Sequence, residues 1–180
     1  GNIYYMLIDG ANGGQCNFEF HSSSGIANTP LGDLIDPTLS NNVAVCTGYE
    51  LGLSKRLKQS SDLWLNNPRV PREASGTSGM TAAMNGAVNC STNDGWICEF
   101  INHGNNGFVV PPIDYENISV HEQDEYDLNK LYEILENQVL PLYYDNHEVW
   151  RQITQNGMRD VRFQFDSNRM AQEYYEILYK

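Results

Sequence analysis

The stretch PREASGTSGMTAAMNG, residues 71–86, decides how this chain folds. It carries an acid at Glu73, five small residues at 75–79 and then the run Thr-Ala-Ala-Met at 81–84. A turn of Ser, Gly and Thr that opens a helix leaves backbone N–H groups unpaired at the positive end of the helix dipole, and its glycines let an anion come close. The pattern matches neither G-x-x-x-x-G-K-[ST] nor G-x-G-x-x-G. It therefore predicts either a site for phosphate or sugar hydroxyl groups, or a plain helix cap with flexible glycines.

Strands and helices alternate around this turn. VAVC (43–46) is a short β-branched run typical of a buried parallel strand, and YELGLSKRLKQ (49–59) has the leucine spacing of an amphipathic helix. SDLWLN (61–66) and GAVNCST (86–92) are further strand candidates. Strand, helix, strand, glycine-rich turn and helix in this order predict an α/β fold with a Rossmann-like parallel sheet flanked by helices.

The first part of the chain is harder to assign. Residues 1–42 are rich in turn formers, and only NIYYMLID (2–9) has the composition of a strand. We therefore expect two parts, an unassigned segment at 1–42 that is loop-rich or foreign to the natural protein, and a portion of an α/β domain at 43–180.

The C-terminal part predicts three helices. Leucines at helical spacing mark 122–145, where Pro141 kinks or ends the helix. A second helix covers 146–161, and a third covers 166–179 behind a cap at Asp166. Aromatic residues in this region are expected to form helix-packing core rather than to stack on sugars. They are Tyr143, Tyr144, Trp150, Tyr174, Tyr175 and Tyr179.

Composition excludes several classes of function. The net charge of -12 argues against nucleic acid or an anionic membrane as a partner, because both favour clusters of Lys and Arg. No apolar run approaches the roughly 18 residues that span a bilayer. The four cysteines form no C-x-x-C pair and the four histidines show no metal spacing, so we expect no metal and reduced, buried thiols in a cytoplasmic protein.

The motif at 73–95 resembles the signature of the α-glucan phosphorylases, which act on glycogen, starch and maltodextrin. In that family a Glu-Ala-Ser-Gly-Thr-x-x-Met-Lys run is followed by Leu-Asn-Gly-Ala and by Thr-x-Asp-Gly. The ordered matches extend from about 43 to 108, while 1–42 match nothing in the family. The matching positions are Glu73, Ala74, Ser75, Gly76, Thr77, Met80, Asn85, Gly86, Ala87, Thr92, Asp94 and Gly95.

The resemblance implies a role for each residue of the turn. Residues 73–76 (Glu73, Ala74, Ser75 and Gly76) would contact the glucosyl unit, with the Glu73 carboxylate taking its hydroxyl groups. Gly76 and Thr77 would face the phosphate of pyridoxal phosphate, and Tyr49 matches a tyrosine that lines the cofactor pocket. Glu73 and Thr77 would thus be the catalytic pair of this segment. In the family, the 5′-phosphate of the cofactor donates a proton to the substrate phosphate, and the protein supplies position and charge stabilisation.

The chain departs from the family at Thr81, which occupies the place of the lysine that forms the Schiff base with the cofactor. A hydroxyl group cannot form an imine, so covalent attachment at this position is excluded. Lys55 and Lys58 could approach the pocket, but a solvated helix face explains them better. Three accounts follow: pyridoxal phosphate bound without a covalent bond, a cofactor-free transferase that uses a nucleotide sugar, or a catalytically silent glucan binder.

The resemblance implies the C-terminal Rossmann-like part of a longer glycosyltransferase, inactive alone. The full-length enzyme would bind α-glucan and phosphate, would release glucose 1-phosphate from terminal α-1,4 linkages and could form a homo-oligomer. Three further residues have both a functional and a structural explanation. Asp94 could orient a ligand or form a plain turn, His103 could belong to a lid or a solvent loop, and Glu99 could be a second carboxylate or an isolated acid.

Overall fold

A computed structural model describes residues 5–7 and 51–179 of the chain. Four strands and seven helices follow one another in these residues, and a π-helical turn at Leu135–Val139 lies between two of the helices. The elements are β1 Tyr5–Leu7, α1 Leu51–Ser60, β2 Leu63–Asn66, α2 Thr77–Met84, β3 Val88–Ser91, α3 Ile97–Phe100, β4 Gly107–Val109, α4 Val120–Ile134, α5 Leu140–Asp145, α6 His147–Gln164 and α7 Ser167–Leu178.

The four strands form one parallel sheet in the order β1-β2-β3-β4. Leu63 pairs with Val88, and Cys90 pairs with Phe108. The predicted α/β class with a parallel sheet and flanking helices is confirmed, and so are the strands predicted within 2–9, 61–66 and 86–92. The strand predicted at 43–46 lies outside the described residues, and the division at residue 42 stays a prediction.

The two faces of the sheet differ in polarity because side chains alternate along each strand. One face places Leu63, Leu65, Val88 and Cys90 in a core with side chains of α4, α5 and α6. The other face carries the buried residues Trp64, Asn66, Asn89 and Ser91. The second apolar cluster contains Ala83 of α2, Trp96, Ile97 and Phe100 around α3, and Val161 of α6.

Helix α2 approaches the polar face of the sheet closely at Gly79. A Cβ atom there would lie 2.8 Å from Asn89 Oδ1 and 2.8 Å from Trp96 Cζ2. The Asn89 amide donates to the Gly79 carbonyl over 3.1 Å, and the Asn66 amide donates to Asn89 Oδ1 over 3.3 Å. Two buried asparagines therefore connect the strands to the helix that follows the turn.

The structure has four C-terminal helices where three were predicted, because the predicted helix at 122–145 is divided into α4, the π-helical turn and α5. Pro141 does not end a helix: it lies in the first turn of α5, just after the π-helical turn. Tyr143 and Trp150 pack edge to face with ring centroids 5.3 Å apart, as expected of core aromatics. The core prediction is wrong for the exposed rings of α5 and α7 and of the residue after α7, because no described element covers them. These rings belong to Tyr144, Tyr174, Tyr175 and Tyr179.

Of the four cysteines, two lie in the described residues. Cys90 is buried in the sheet, where loss of solvation raises the pKa of its thiol to about 12 and keeps it protonated. Cys98 is exposed, so the expectation of a buried thiol is wrong there. Cys16 and Cys46 lie outside the described residues.

Candidate functional site

The turn predicted to bind a ligand lies at the carboxyl end of β2, the edge at which parallel α/β sheets bind ligands. Helix α2 begins at Thr77, and Gly76 precedes it as the cap residue. Among the described residues, no side chain accepts from the first amides of this helix, and its first turn contains no acid. These N–H groups are therefore available to an anion from outside.

The residues predicted for the site stand together on this turn. Glu73, Ala74, Gly76 and Thr77 are exposed, and Ser75 is half-buried. The Oγ atom of Ser75 is shielded from solvent and has no hydrogen-bond partner in the described part of the chain. Tyr49, the remaining predicted cofactor contact, lies outside the described residues.

Gly76 differs from the other glycines of this region in its surroundings. A Cβ atom on Gly76 would meet no atom of the described residues within 4 Å, so the described part of the fold does not require a glycine here. The space in front of the backbone stays open. A group that binds the first amides of α2 would use this space.

Thr81 lies one helical turn beyond Thr77 on the same exposed face of α2. Its hydroxyl group donates to the Thr77 carbonyl over 3.1 Å, and its own carbonyl accepts from the Asn85 amide over 2.8 Å. Thr81 therefore behaves as an ordinary helix residue, and no lysine or arginine occurs on α2.

The second half of the motif supports the first. Thr92, at the end of β3, donates from Oγ1 to the Pro68 carbonyl over 2.9 Å. Gly95 adopts a φ of +57°, and a Cβ atom there would lie 2.8 Å from the Ala74 Cβ and 3.2 Å from the Ser75 carbonyl oxygen. Only a glycine fits this conformation at this distance. Asp94 accepts from the Gly95 amide over 2.9 Å, which favours its structural explanation as a turn residue.

Helix α4 also contacts the segment that leads into the turn. The sequence did not predict this contact. Arg69 forms two bonds with the Asp124 carboxylate, at 2.7 Å and 2.6 Å. The buried Gln123 donates to the Val70 carbonyl over 2.9 Å. Because the Arg69 guanidinium donates hydrogen bonds to the Asp124 carboxylate, the pKa of Asp124 lies below its ordinary value.

Two further ionisable groups close to this edge are perturbed by burial. Loss of solvation raises the pKa of Asp127, against a hydrogen bond from Gln123 that lowers it. Burial and the nearby Asp127 charge raise the pKa of the Tyr115 hydroxyl group. The Oδ1 atom of Asp127 has no partner among the described residues.

The other two candidates from the sequence lie elsewhere. His103 lies in the loop that precedes β4, at the amino-terminal end of the strands, whereas the turn follows β2 at their carboxyl-terminal end. Its ring nitrogens contact Val109 over 3.1 Å and Gln138 Oε1 over 2.9 Å, which supports a structural role. Glu99 is exposed on α3, and among the described residues it is not paired with Glu73, the acid of the turn.

The described residues offer neither a metal site nor a membrane span. They contain no group of three or more His, Cys, Asp or Glu side chains placed to hold a metal ion. Within the same residues, none of the helices has the length and apolar character needed to cross a bilayer.

Comparisons with known proteins place the chain. It is 38% identical to a maltodextrin phosphorylase of Thermococcus litoralis over 79% of this chain and 17% of that protein. It is 35% identical to a glycogen phosphorylase of Aquifex aeolicus over 80% of this chain and 21% of that protein. Among solved structures, it is similar to HepE of Anabaena in complex with UDP-glucose, at 21% identity and a TM-score of 0.47 over 69% of this chain and 29% of that one. No protein-family model matches the chain.

The fold and the motif together define an α/β domain of the phosphorylase type. By sequence, the chain belongs to the α-glucan phosphorylase family, with threonine in place of the cofactor lysine. It spans about a fifth of the length of the curated relatives it matches.

Proposed function

We propose that this chain is the C-terminal portion of an α-glucan phosphorylase that releases glucose 1-phosphate from terminal α-1,4 linkages in the cytoplasm. The observation that carries the proposal is the open turn at 73–77. It combines an exposed carboxylate, a buried Ser75 hydroxyl group without a partner among the described residues and the uncapped N-terminus of α2. The names of the curated relatives support the same substrates, α-glucan and phosphate.

The turn would bind the terminal glucosyl unit. The Glu73 carboxylate is an acceptor that can take two sugar hydroxyl groups at once, and Ser75 Oγ can accept or donate one more bond. The amides at the start of α2 would stabilise a phosphate group in front of Gly76 and Thr77. In the reaction, a phosphate oxygen bonds to the anomeric carbon while the bond from that carbon to the 4-oxygen of the next glucose breaks, and that 4-oxygen takes a proton from the phosphate.

The site fits one end of pyridoxal phosphate and not the other. The open space at Gly76 and the free amides of α2 suit its phosphate group. Thr81 cannot hold its aldehyde covalently. When bound, the cofactor supplies a phosphate group that donates a proton to the substrate phosphate. Gly76 and Thr77 would hold that group, and Glu73 would orient the sugar beside it.

The experiment is an assay of the full-length polypeptide with maltodextrin and inorganic phosphate, with and without added pyridoxal phosphate. Release of glucose 1-phosphate that rises with the cofactor is the expected result. Binding of glucan without release under either condition would contradict the proposed phosphorolysis and favour a glucan-binding role.

Thr81→Lys provides a second test of the cofactor position. The variant is expected to hold pyridoxal phosphate through borohydride reduction, detected as added mass on the chain, while the wild-type protein loses it on gel filtration. Lys130, partly exposed on α4, is a possible site of nonspecific attachment, and the Lys130→Arg variant of the Thr81→Lys protein measures its share. Failure of Thr81→Lys to retain the cofactor would contradict the placement of its aldehyde next to residue 81.

A further inference from the structure

We infer that Gln123 is a positioning residue for the 73–77 turn, an inference that rests on the proposed sugar and phosphate site. Gln123 touches neither ligand. It acts through the segment 68–70, which leads from β2 into the turn. Gln123 fixes the Val70 carbonyl, three residues before Glu73.

Two different elements, the end of β3 and helix α4, hold three consecutive residues of this segment. Thr92 at the end of β3 donates to the Pro68 carbonyl over 2.9 Å. Arg69 pairs with Asp124, and Gln123 donates to the Val70 carbonyl over 2.9 Å. Each bond approaches from outside the segment, so the backbone is held on more than one side immediately before the turn.

The surroundings of Gln123 single out this bond. Its neighbours His121, Glu122, Asp124 and Glu125 are all exposed, as expected of a solvated helix face. Gln123 is only 4% exposed. Its amide makes the bond to Val70 and a longer one of 3.5 Å to Asp127 Oδ2, one turn further along α4. Gln123 is thus a buried amide in a run of charged residues. Because its hydrogen bond satisfies the carbonyl of a loop residue, its burial is explained by that loop and not by packing in the core.

Helix α4 is a firm support for this bond. It begins with a capping box, in which Ser119 and Glu122 satisfy each other's backbone amides over 3.3 Å and 2.8 Å. Gln123 is the next residue along. The Arg72 amide donates to the Arg69 carbonyl over 2.8 Å, and the backbone turn that this bond closes connects Val70 to Glu73. The far side of the turn rests on Gly95. Small displacements of a binding group cost affinity, so loss of the bond at Val70 is expected to weaken ligand binding.

The test uses Gln123→Met in the full-length protein, because methionine keeps the shape and removes the donor. Affinity for glucose 1-phosphate, measured by calorimetry, is expected to fall about tenfold. Gln172→Met is the matched control, since Gln172 is exposed on α7 and bonds only to Glu176 among the described residues. This control is expected to bind as the wild-type protein does.

Hydrogen exchange of the amides at 72–77, measured without ligand, reports on the turn itself. Gln123→Met is expected to speed exchange there while the unfolding midpoint stays close to that of the wild-type protein. Unchanged exchange and unchanged affinity would overturn the inference, and so would a loss of affinity that only follows a loss of folded protein. If Gln123→Met does not fold, Asp124→Asn replaces it, with an expected loss of about threefold because an exposed ion pair is weak.

The two proposals fail differently. If the wild-type protein binds neither glucose 1-phosphate nor maltodextrin, the proposed function is wrong. In that case the exchange rates at 72–77 alone decide the role of Gln123: faster exchange upholds it, and equal exchange overturns it.

Discussion

The turn at 73–77 and the loop at 101–106 have similar compositions and opposite structures. Both are rich in small polar residues and glycine, and both connect elements of the same sheet. In the 101–106 loop, the buried Asn106 accepts from the Asn102 amide over 2.8 Å and donates to the Phe100 carbonyl over 3.0 Å and to Asp160 over 3.1 Å. His103 is held at both ring nitrogens.

The turn at 73–77 leaves its polar groups open. Ser75 Oγ has no partner among the described residues, no side chain caps α2, and nothing surrounds the place of a Cβ atom on Gly76. Buried polar groups in native proteins are normally satisfied, so each exception asks for a reason. The polar groups of the loop are satisfied within the fold, whereas those of the turn are the groups proposed to bind a ligand. Composition alone does not separate these two outcomes.

Glu73→Gln should have the largest effect on ligand binding. The exposed Glu73 side chain forms no hydrogen bond or ion pair with the described residues, so the unfolding midpoint should not change. Affinity for maltodextrin should fall roughly a hundredfold, because bonds to a charged acceptor are the strong ones. Calorimetric titration of the full-length protein measures it. The control is Glu99→Gln, an exposed glutamate away from the turn, and an equal loss in both variants would break the comparison.

Asn106→Ala should give the reverse result. Removal of the buried carboxamide leaves the Asn102 amide and the Phe100 carbonyl without their partner, which should cost about 2 kcal/mol of unfolding free energy. Ligand affinity of the folded protein should stay within about twofold of wild type, since the loop lies at the amino-terminal end of the strands and the turn at their carboxyl-terminal end. Urea unfolding measures the first quantity and titration the second. Asn129→Ala, on the exposed face of α4, is the control for stability. A loss of affinity without a loss of stability would contradict the structural role of the loop.

The sequence predicted the parts of this contrast that depend on local pattern. Strands, helices and the open turn follow from apolar spacing and from Ser, Gly and Thr before a helix. The bond from Gln123 to Val70 joins residues 53 apart, and nothing in the charged run around Gln123 marks it. The same limit explains the exposed rings of Tyr174 and Tyr175. Periodicity predicts that a helix has an apolar face, but what covers that face is a tertiary property.

Gly76→Ala separates the needs of the ligand from those of the fold. The added methyl group would meet no atom within 4 Å in the described part of the chain, so stability should be unchanged. It would occupy the space in front of the first amides of α2, and affinity for glucose 1-phosphate should fall about tenfold. Gly79→Ala is the matched variant. Its methyl group would come within 2.8 Å of Asn89 and Trp96, so it should lower the unfolding free energy by about 1–3 kcal/mol. Unchanged affinity in Gly76→Ala would show that the open space is not the ligand site.

Asp127→Asn tests whether burial of the Asp127 carboxylate lowers the stability of the folded protein. Burial raises the folded pKa of Asp127 above its ordinary value of 3.8, so the charged form is disfavoured in the folded protein. Stability contributed by this group is therefore lost as the pH rises through the folded pKa, and the cost is fully present at pH 7. The neutral asparagine should raise the unfolding midpoint at pH 7, and this gain should vanish below pH 3.8, where aspartic acid is neutral as well. The gain should be small, because the side chain is partly solvated. Thermal unfolding of both proteins across this pH range measures the difference. A midpoint that falls at pH 7 would mean that the carboxylate stabilises the bond between Gln123 and Val70 by more than its burial costs.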